Sequence, residues 1–313
     1  MLCGDGPPQP ARHSATFPAM GTMASIIVYC PPDTAEALLE GAERLVHDLD
    51  RRLSVYDDHG LGRLNRLGRA SLDDEHLRAV VTASDSLQRI TGGAFDPTAG
   101  GLVRLWGFPA SPALPAREDI DSVLAITGWE RMVSLSSDSI ALAPGAMVDF
   151  GAAAKGYAAD LAYAALMERG ASAALVEIGG EVRCGSRPGF AKVWTVGIRH
   201  PRDGGLLDTV RVEQGALATS GDYECFFIDS AGRRLSHIID PSSGYPAQGA
   251  VSASVLAGSC LVADAVATAL VIGGWELADS LPEGLVRAIL IVEGDDDGIR
   301  VGRSGEWQES PNG

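Results

Sequence analysis

Ala173-Ala174-Leu175-Val176-Glu177-Ile178, Val193-Trp194-Thr195-Val196-Gly197-Ile198, Asp208-Thr209-Val210-Arg211-Val212-Glu213 and Glu224-Cys225-Phe226-Phe227-Ile228 follow one another with no helical pattern between them. All four are short runs suited to a pleated, half-buried surface. Before them, the Ala-rich segment 152–168 reads as a helix closed by Gly170. After them come a strand at Val251–Leu256, a helix over about 261–271, a shorter helix near 275–281 and a strand at Arg287–Val292. Toward the N-terminus, Ala24–Tyr29 reads as a strand ended by Pro31-Pro32. Asp33 and Glu36 then suggest a capping box opening a helix through Leu38, Leu39, Ala42, Leu45, Val46 and Leu49. A second helix is expected from about Asp74 to Ile90, stopped by Gly92-Gly93, with a polar turn at Leu53–Asp58 between the two. Residues 109–121, with three prolines, read as a loop, and short strands are expected near 131–135 and 139–142. Helices and strands mix without a strict βαβ rhythm, which favours an α+β fold over a doubly wound sheet. Residues 1–16, rich in Pro and Gly, read as a flexible arm ahead of one domain over 17–313.

The chain has 313 residues, 46% of them hydrophobic and 21% charged, enough apolar material for a real core. Twenty-five Lys and Arg against 41 Asp and Glu give a net charge of −16. Such a surface repels phosphate backbones and anionic lipid, so no nucleic-acid partner and no membrane insertion are expected. A phosphate ligand would need a metal ion or local backbone donors. The five cysteines are scattered with no CxxC, which argues for reduced thiols rather than a disulfide framework or zinc site. Met1–Ala15 has no apolar core of signal-peptide length, and Val251–Gly273 is broken by Asp264. A cytoplasmic protein is the expectation.

No GxGxxG follows a strand, and GxxxxGK[ST], GxSxG and HExxH are all missing. Five small clusters remain. Met20-Gly21-Thr22 precedes a strand and reads first as a turn. Gly92 to Thr98 could offer free backbone groups to a flat heterocycle, with Trp106 or Phe108 packing beside it, although glycines at a helix end need no function. Asp149 to Tyr157 sets Lys155 among small residues at a helix start, where the dipole disfavours a cation. That placement suits either an anion site or an exposed lysine. In the fourth cluster His237 and Asp240 lie three apart beside a Pro-containing turn, as a satisfied surface pair or as catalytic groups. In the fifth, Asp264 and Thr268 share a helix face, i and i+4, with Val262, Val266 and Leu270 on another. A carboxylate amid residues this small and apolar is costly to bury unpaired; a Mg²⁺ ion would solve the problem, and so would a solvated helix end.

Taken in order, these tracts resemble the ApbE family, the FAD:protein FMN transferases. The likeness runs from Met20 to Thr268 and includes Ser54, Tyr56, Arg63 to Asn65, Ile178-Gly179-Gly180 and Thr219 to Tyr223. The resemblance implies largely antiparallel sheets with packed helices and an FAD and Mg²⁺ cleft between two intimate subdomains. It implies transfer of FMN from FAD to a threonine hydroxyl of an acceptor flavoprotein, with release of AMP. By the same resemblance, Ala152, Asp264 and Thr268 hold the metal, Mg²⁺ or Mn²⁺. Met20, Tyr56, Ala94, Phe95, Asp96, Asp149, Lys155 and Ile239 contact FAD. His237, steered by Asp240, is the candidate base, and Lys155 adds positive charge near the diphosphate or the flavin. The alternatives are an FAD pyrophosphatase giving FMN and AMP, and a flavin-binding protein without turnover.

Overall fold

The computed structural model describes residues 9–295, 298–305 and 307. The chain begins with β1 (Ala11–Ala19) and β2 (Thr22–Cys30), a hairpin paired along its whole length, with Ala19 opposite Thr22. The arm expected over 1–16 is therefore corrected: Ala11–Thr16 belong to a strand, because they pair against an apolar strand whose inner face is buried, while residues 1–8 lie outside the described residues. Next come α1 (Pro32–Leu53), α2 (Gly60–Leu67), β3 (Arg69–Ser71), α3 (Glu75–Ile90), α4 (Gly100–Leu105), α5 (Arg117–Leu124) and α6 (Trp129–Met132). The capping box at Asp33 does not form. Proline, pre-set for the first helical position and lacking an N–H, starts α1 at Pro32, so Asp33 falls inside the first turn and Pro31 takes the cap. Helix α5 occupies part of the expected 109–121 loop. The short β4 (Val133–Leu135) and β5 (Ser139–Leu142) lie where the sequence puts them.

The second half supplies the frame: α7 (Gly151–Glu168), β6 (Ala173–Ile178), β7 (Glu181–Ser186), β8 (Trp194–Arg199), β9 (Leu206–Val212), β10 (Gly215–Gly221), β11 (Phe226–Ile228), β12 (Arg234–Ser236), β13 (Ser252–Ala257), α8 (Cys260–Ser280), β14 (Ala288–Asp295) and β15 (Gly298–Gly305). The two helices expected at 261–271 and 275–281 are one run, α8, broken at Gly274, whose φ of 54° and ψ of −147° no helix contains.

One sheet runs through the molecule in the order β1-β2-β6-β7-β10-β13-β14-β15, every pair antiparallel. Period-two alternation splits its side chains between two cores. On one face Ala174, Val176, Ile178, Ala218, Ala253, Val255, Ile289 and Ile291 pack under α1, α7 and α8. On the other, Ala173, Val182, Cys184, Leu217, Leu256 and Leu290 meet Trp194, Ile198, Val210 and Val212 of the β8–β9 hairpin. Burial on both faces explains why β10, Gly-Ala-Leu-Ala-Thr-Ser-Gly, is a strand despite its small residues: neighbours on either side and the layers above and below hold it. Helix α8 is the one helix, among the described residues, long and apolar enough to cross a membrane, and it is packed in the core against β10 and β13. Cys30, Cys184, Cys225 and Cys260 are free thiols.

Candidate functional site

The site is mounted on the seam between α7 and α8. Gly156 has no side chain, and a Cβ there would run into the Cys260 carbonyl, so the helices meet backbone to backbone. One turn on, Asp160 accepts hydrogen bonds from the Ser259 hydroxyl (2.7 Å) and the Cys260 and Leu261 amides (2.8 and 3.1 Å), and pairs with Arg183 Nε at 3.0 Å. These amides are the orphan donors of the α8 N-terminus, where an anion is stabilising. The clamp fixes where the next turn of α8 points: Asp264 Oδ2 accepts from the Gly156 amide at 3.1 Å. Asp160→Ala leaves these donors and the Arg183 guanidinium without their acceptor, and is expected to cost about 2–4 kcal/mol in urea unfolding.

Above this seam lies a buried charge cluster. The turn Gly179-Gly180, with φ of 64° and 104°, reverses β6 into β7 and starts the new strand at Glu181, 4% exposed. Lys155, in the first turn of α7, reaches back to the Gly151 carbonyl (2.8 Å), to Glu181 Oε1 (3.4 Å) and toward Asp264 Oδ2 (3.8 Å). Burial pushes the Asp264 and Glu181 carboxyls up, against the pull of Lys155, Glu181 well above the ordinary range. For Lys155 burial works downward, but Asp264 and Glu181 outweigh it and hold the ammonium charged. Asp149 is also raised by burial, against the Gly151 amide, from which its Oδ1 accepts at 2.8 Å, and against the charge of Lys155, to whose cationic form it adds a smaller support. Three acids thus face one lysine. The helix start that looked unfavourable for a cation is made favourable chiefly by Asp264 and Glu181, which lie far from it in the sequence.

A cavity of about 520 Å³ opens over this cluster. It is lined by Met20, Tyr56, Ala94, Phe95, Asp96, Asp149, Ala152, Lys155, His237, Ile239, Asp264 and Thr268, gathered from segments that span most of the chain. Met20 (φ 52°) and Gly21 (φ 73°) make the two-residue turn of the β1–β2 hairpin, and the Met20 amide is tied to Asp50 Oδ2 at 2.7 Å. Tyr56 stands at the rim, 85% exposed. Asp96 is committed to architecture: Oδ1 accepts from the Thr98 amide and hydroxyl, Oδ2 from the Trp129 amide. The hydroxyl of Thr268 lies 2.9 Å from that of Ser220 on β10.

Two expectations fail. Asp240 does not steer His237: its carboxylate accepts from the Ser242 amide and hydroxyl and from the Ser243 hydroxyl, closing its own turn, and it does not line the cavity. Asx-type bonding to the residues just ahead is what a short carboxylate before Pro-Ser-Ser offers most readily. His237 is oriented instead by the Cys225 carbonyl, 3.1 Å from Nδ1. A carbonyl only accepts, so Nδ1 carries the hydrogen, and in the neutral ring Nε2 keeps its lone pair. Burial lowers the His237 pKa, which the Cys225 carbonyl opposes and Lys155 reinforces, so the ring is neutral at pH 7. Trp106 is no platform for a ligand either; it is fully buried, with Nε1 donating to the Gly244 carbonyl at 2.9 Å.

Among the described residues no group of three or more His, Cys, Asp or Glu side chains converges as a metal site. A cation here would rest on one carboxylate and neutral oxygens, a donor set typical of Mg²⁺ with a phosphate substrate. The residues fit that set. Asp264 is 2% exposed, Glu181 Oε2 is buried without a hydrogen-bond partner, and Ala152 leaves helical geometry (φ −89°, ψ 17°). The Gly156 amide, which in an unbroken helix bonds the Ala152 carbonyl, is given to Asp264. Glu181 is the residue the sequence did not single out. Its only signal was an acid directly after Gly-Gly, and its partner Lys155 is near only in the fold.

An antiparallel α+β frame thus carries a lysine, two buried carboxylates and a neutral histidine around one cavity. The chain belongs to the ApbE family, whose model matches residues 20–289. It is similar to the FAD:protein FMN transferase of Vibrio cholerae, 33% identical over 316 residues, covering 96% of this chain and 92% of that protein. The Escherichia coli K12 protein of the same name is 33% identical over 319 residues, covering 93% and 89%. The crystal structure of the ApbE protein from Thermotoga maritima superposes with a TM-score of 0.85 at 30% identity, covering 94% of this chain and 97% of that one.

Proposed function

We propose that this flavin transferase moves FMN from FAD to a threonine hydroxyl of an acceptor flavoprotein, releasing AMP, with Mg²⁺ held by Asp264, Thr268 and the Ala152 carbonyl. The observation that carries the reading is the common cavity of Lys155, Asp264, Thr268 and His237. A divalent cation bound there supplies charge neutralisation on the diphosphate. Lys155, kept cationic by its carboxylate neighbours, adds a fixed positive charge to the same region. His237 Nε2 takes the proton of the acceptor hydroxyl as its oxygen forms a bond to the FMN phosphorus. The bridging P–O bond to AMP breaks, and its electrons leave with the AMP phosphate. Nδ1–H stays on the Cys225 carbonyl, so the ring keeps its orientation as the imidazolium forms. The rim carries Tyr56, where a flat ring system can stack in reach of solvent and of an incoming protein.

The test is incubation with FAD, Mg²⁺ and a candidate acceptor, followed by in-gel flavin fluorescence after denaturation. The expected result is one flavin on the acceptor and one AMP released per transfer, both lost with chelator. AMP release at the same rate without acceptor would instead establish a pyrophosphatase. Tight FAD binding with no AMP would leave a binding protein.

A further inference from the structure

We infer that Glu181 is a positioning residue that holds the Lys155 ammonium away from Asp264 and so keeps that carboxylate open to a divalent cation. The inference rests on the proposed cation site. One ammonium lies between two buried carboxylates, 3.4 Å from Glu181 Oε1 and 3.8 Å from Asp264 Oδ2. Its remaining tether, the Gly151 carbonyl at 2.8 Å, is neutral and fixes only the end of a flexible stem. If Glu181 is deleted, the strongest acceptor left to Lys155 is Asp264, less than 1 Å beyond hydrogen-bond distance. Closing that gap puts an ammonium on the oxygen that already serves the Gly156 amide, and a cation must then displace it.

Glu181 is placed to meet Lys155. The Gly179-Gly180 turn is short and both residues have positive φ, which places the first residue of β7 under α7 rather than at the surface. Glu181 Oε1 faces Lys155, while Oε2 is buried with no hydrogen-bond partner. A carboxylate kept buried and half unsatisfied is costly unless it acts on a neighbour.

The experiment is a double-mutant cycle on the full-length protein, read by the electron paramagnetic resonance signal of free Mn²⁺ without FAD. Glu181→Leu, which removes the acceptor, is expected to weaken Mn²⁺ binding about tenfold. In the Lys155→Gln background the same change is expected to have no effect, because there is no ammonium left to collapse. Equal loss in both backgrounds would make Glu181 a direct ligand or a through-space charge and overturn the inference. No loss in either would overturn it as well. A parent protein that binds no Mn²⁺ would overturn the cation site itself, a distinct result. Thermal unfolding of each variant checks the fold; should Glu181→Leu not fold, Glu181→Gln is carried through the same cycle.

Discussion

Asp264→Asn is expected to lower metal-dependent transfer by about 10³-fold or more, the several kcal/mol that a correctly held cation contributes to a phosphoryl transition state. The substitution is chosen for what it leaves intact. Asparagine keeps an oxygen for the Gly156 amide, so the seam between α7 and α8 survives. It also removes a buried charge whose desolvation already works against ionisation. Activity and stability should therefore separate: turnover collapses while the melting temperature stays near the parent value. The check is the rate of in-gel flavin labelling across a Mg²⁺ titration. A variant with the parental Mg²⁺ dependence would remove Asp264 from the metal site.

His237→Ala is expected to slow transfer by about 10²–10⁴-fold, the usual contribution of a positioned base, with FAD affinity changed less than threefold. The pH profile gives a second reading. Only the neutral ring accepts a proton, and burial lowers its pKa, so the acid-side fall in rate should lie below the ordinary histidine value of about 6.5. In His237→Ala that limb should vanish. A persistent limb, or equal losses in binding and rate, would assign the residue to architecture.

Much of the frame was legible because it is written locally. The strands at 173–178 and 252–257 carry apolar residues, helix α3 carries periodicity and an Asp74 cap, and helix α7 is Ala-rich and closed by Gly170. What escaped was whatever tertiary packing alone decides. Strand β10 has poor intrinsic preference, and β7 begins directly after two glycines. Helix α5 starts directly after a proline-rich stretch, and its N-terminal end falls in the expected loop. The candidate site divides the same way. Asp264 and Thr268 share a face by helical spacing, but Asp240 looked like a partner for His237 only because it is close in sequence. The group that orients the ring is a main-chain carbonyl at Cys225, which no side-chain pattern encodes. Glu181 escaped for the reason that makes it interesting, its partners being 26 and 83 positions away.

The bare crossing at Gly156 has a consequence for how such an enzyme can diversify. With no side chain at the crossing to trade for a longer or shorter one, the spacing of Lys155 and Asp264 cannot drift in small increments. Innovation is thereby pushed outward. Variation is accommodated instead around the exposed part of the lining, at Tyr56, while the floor is kept as a fixed part.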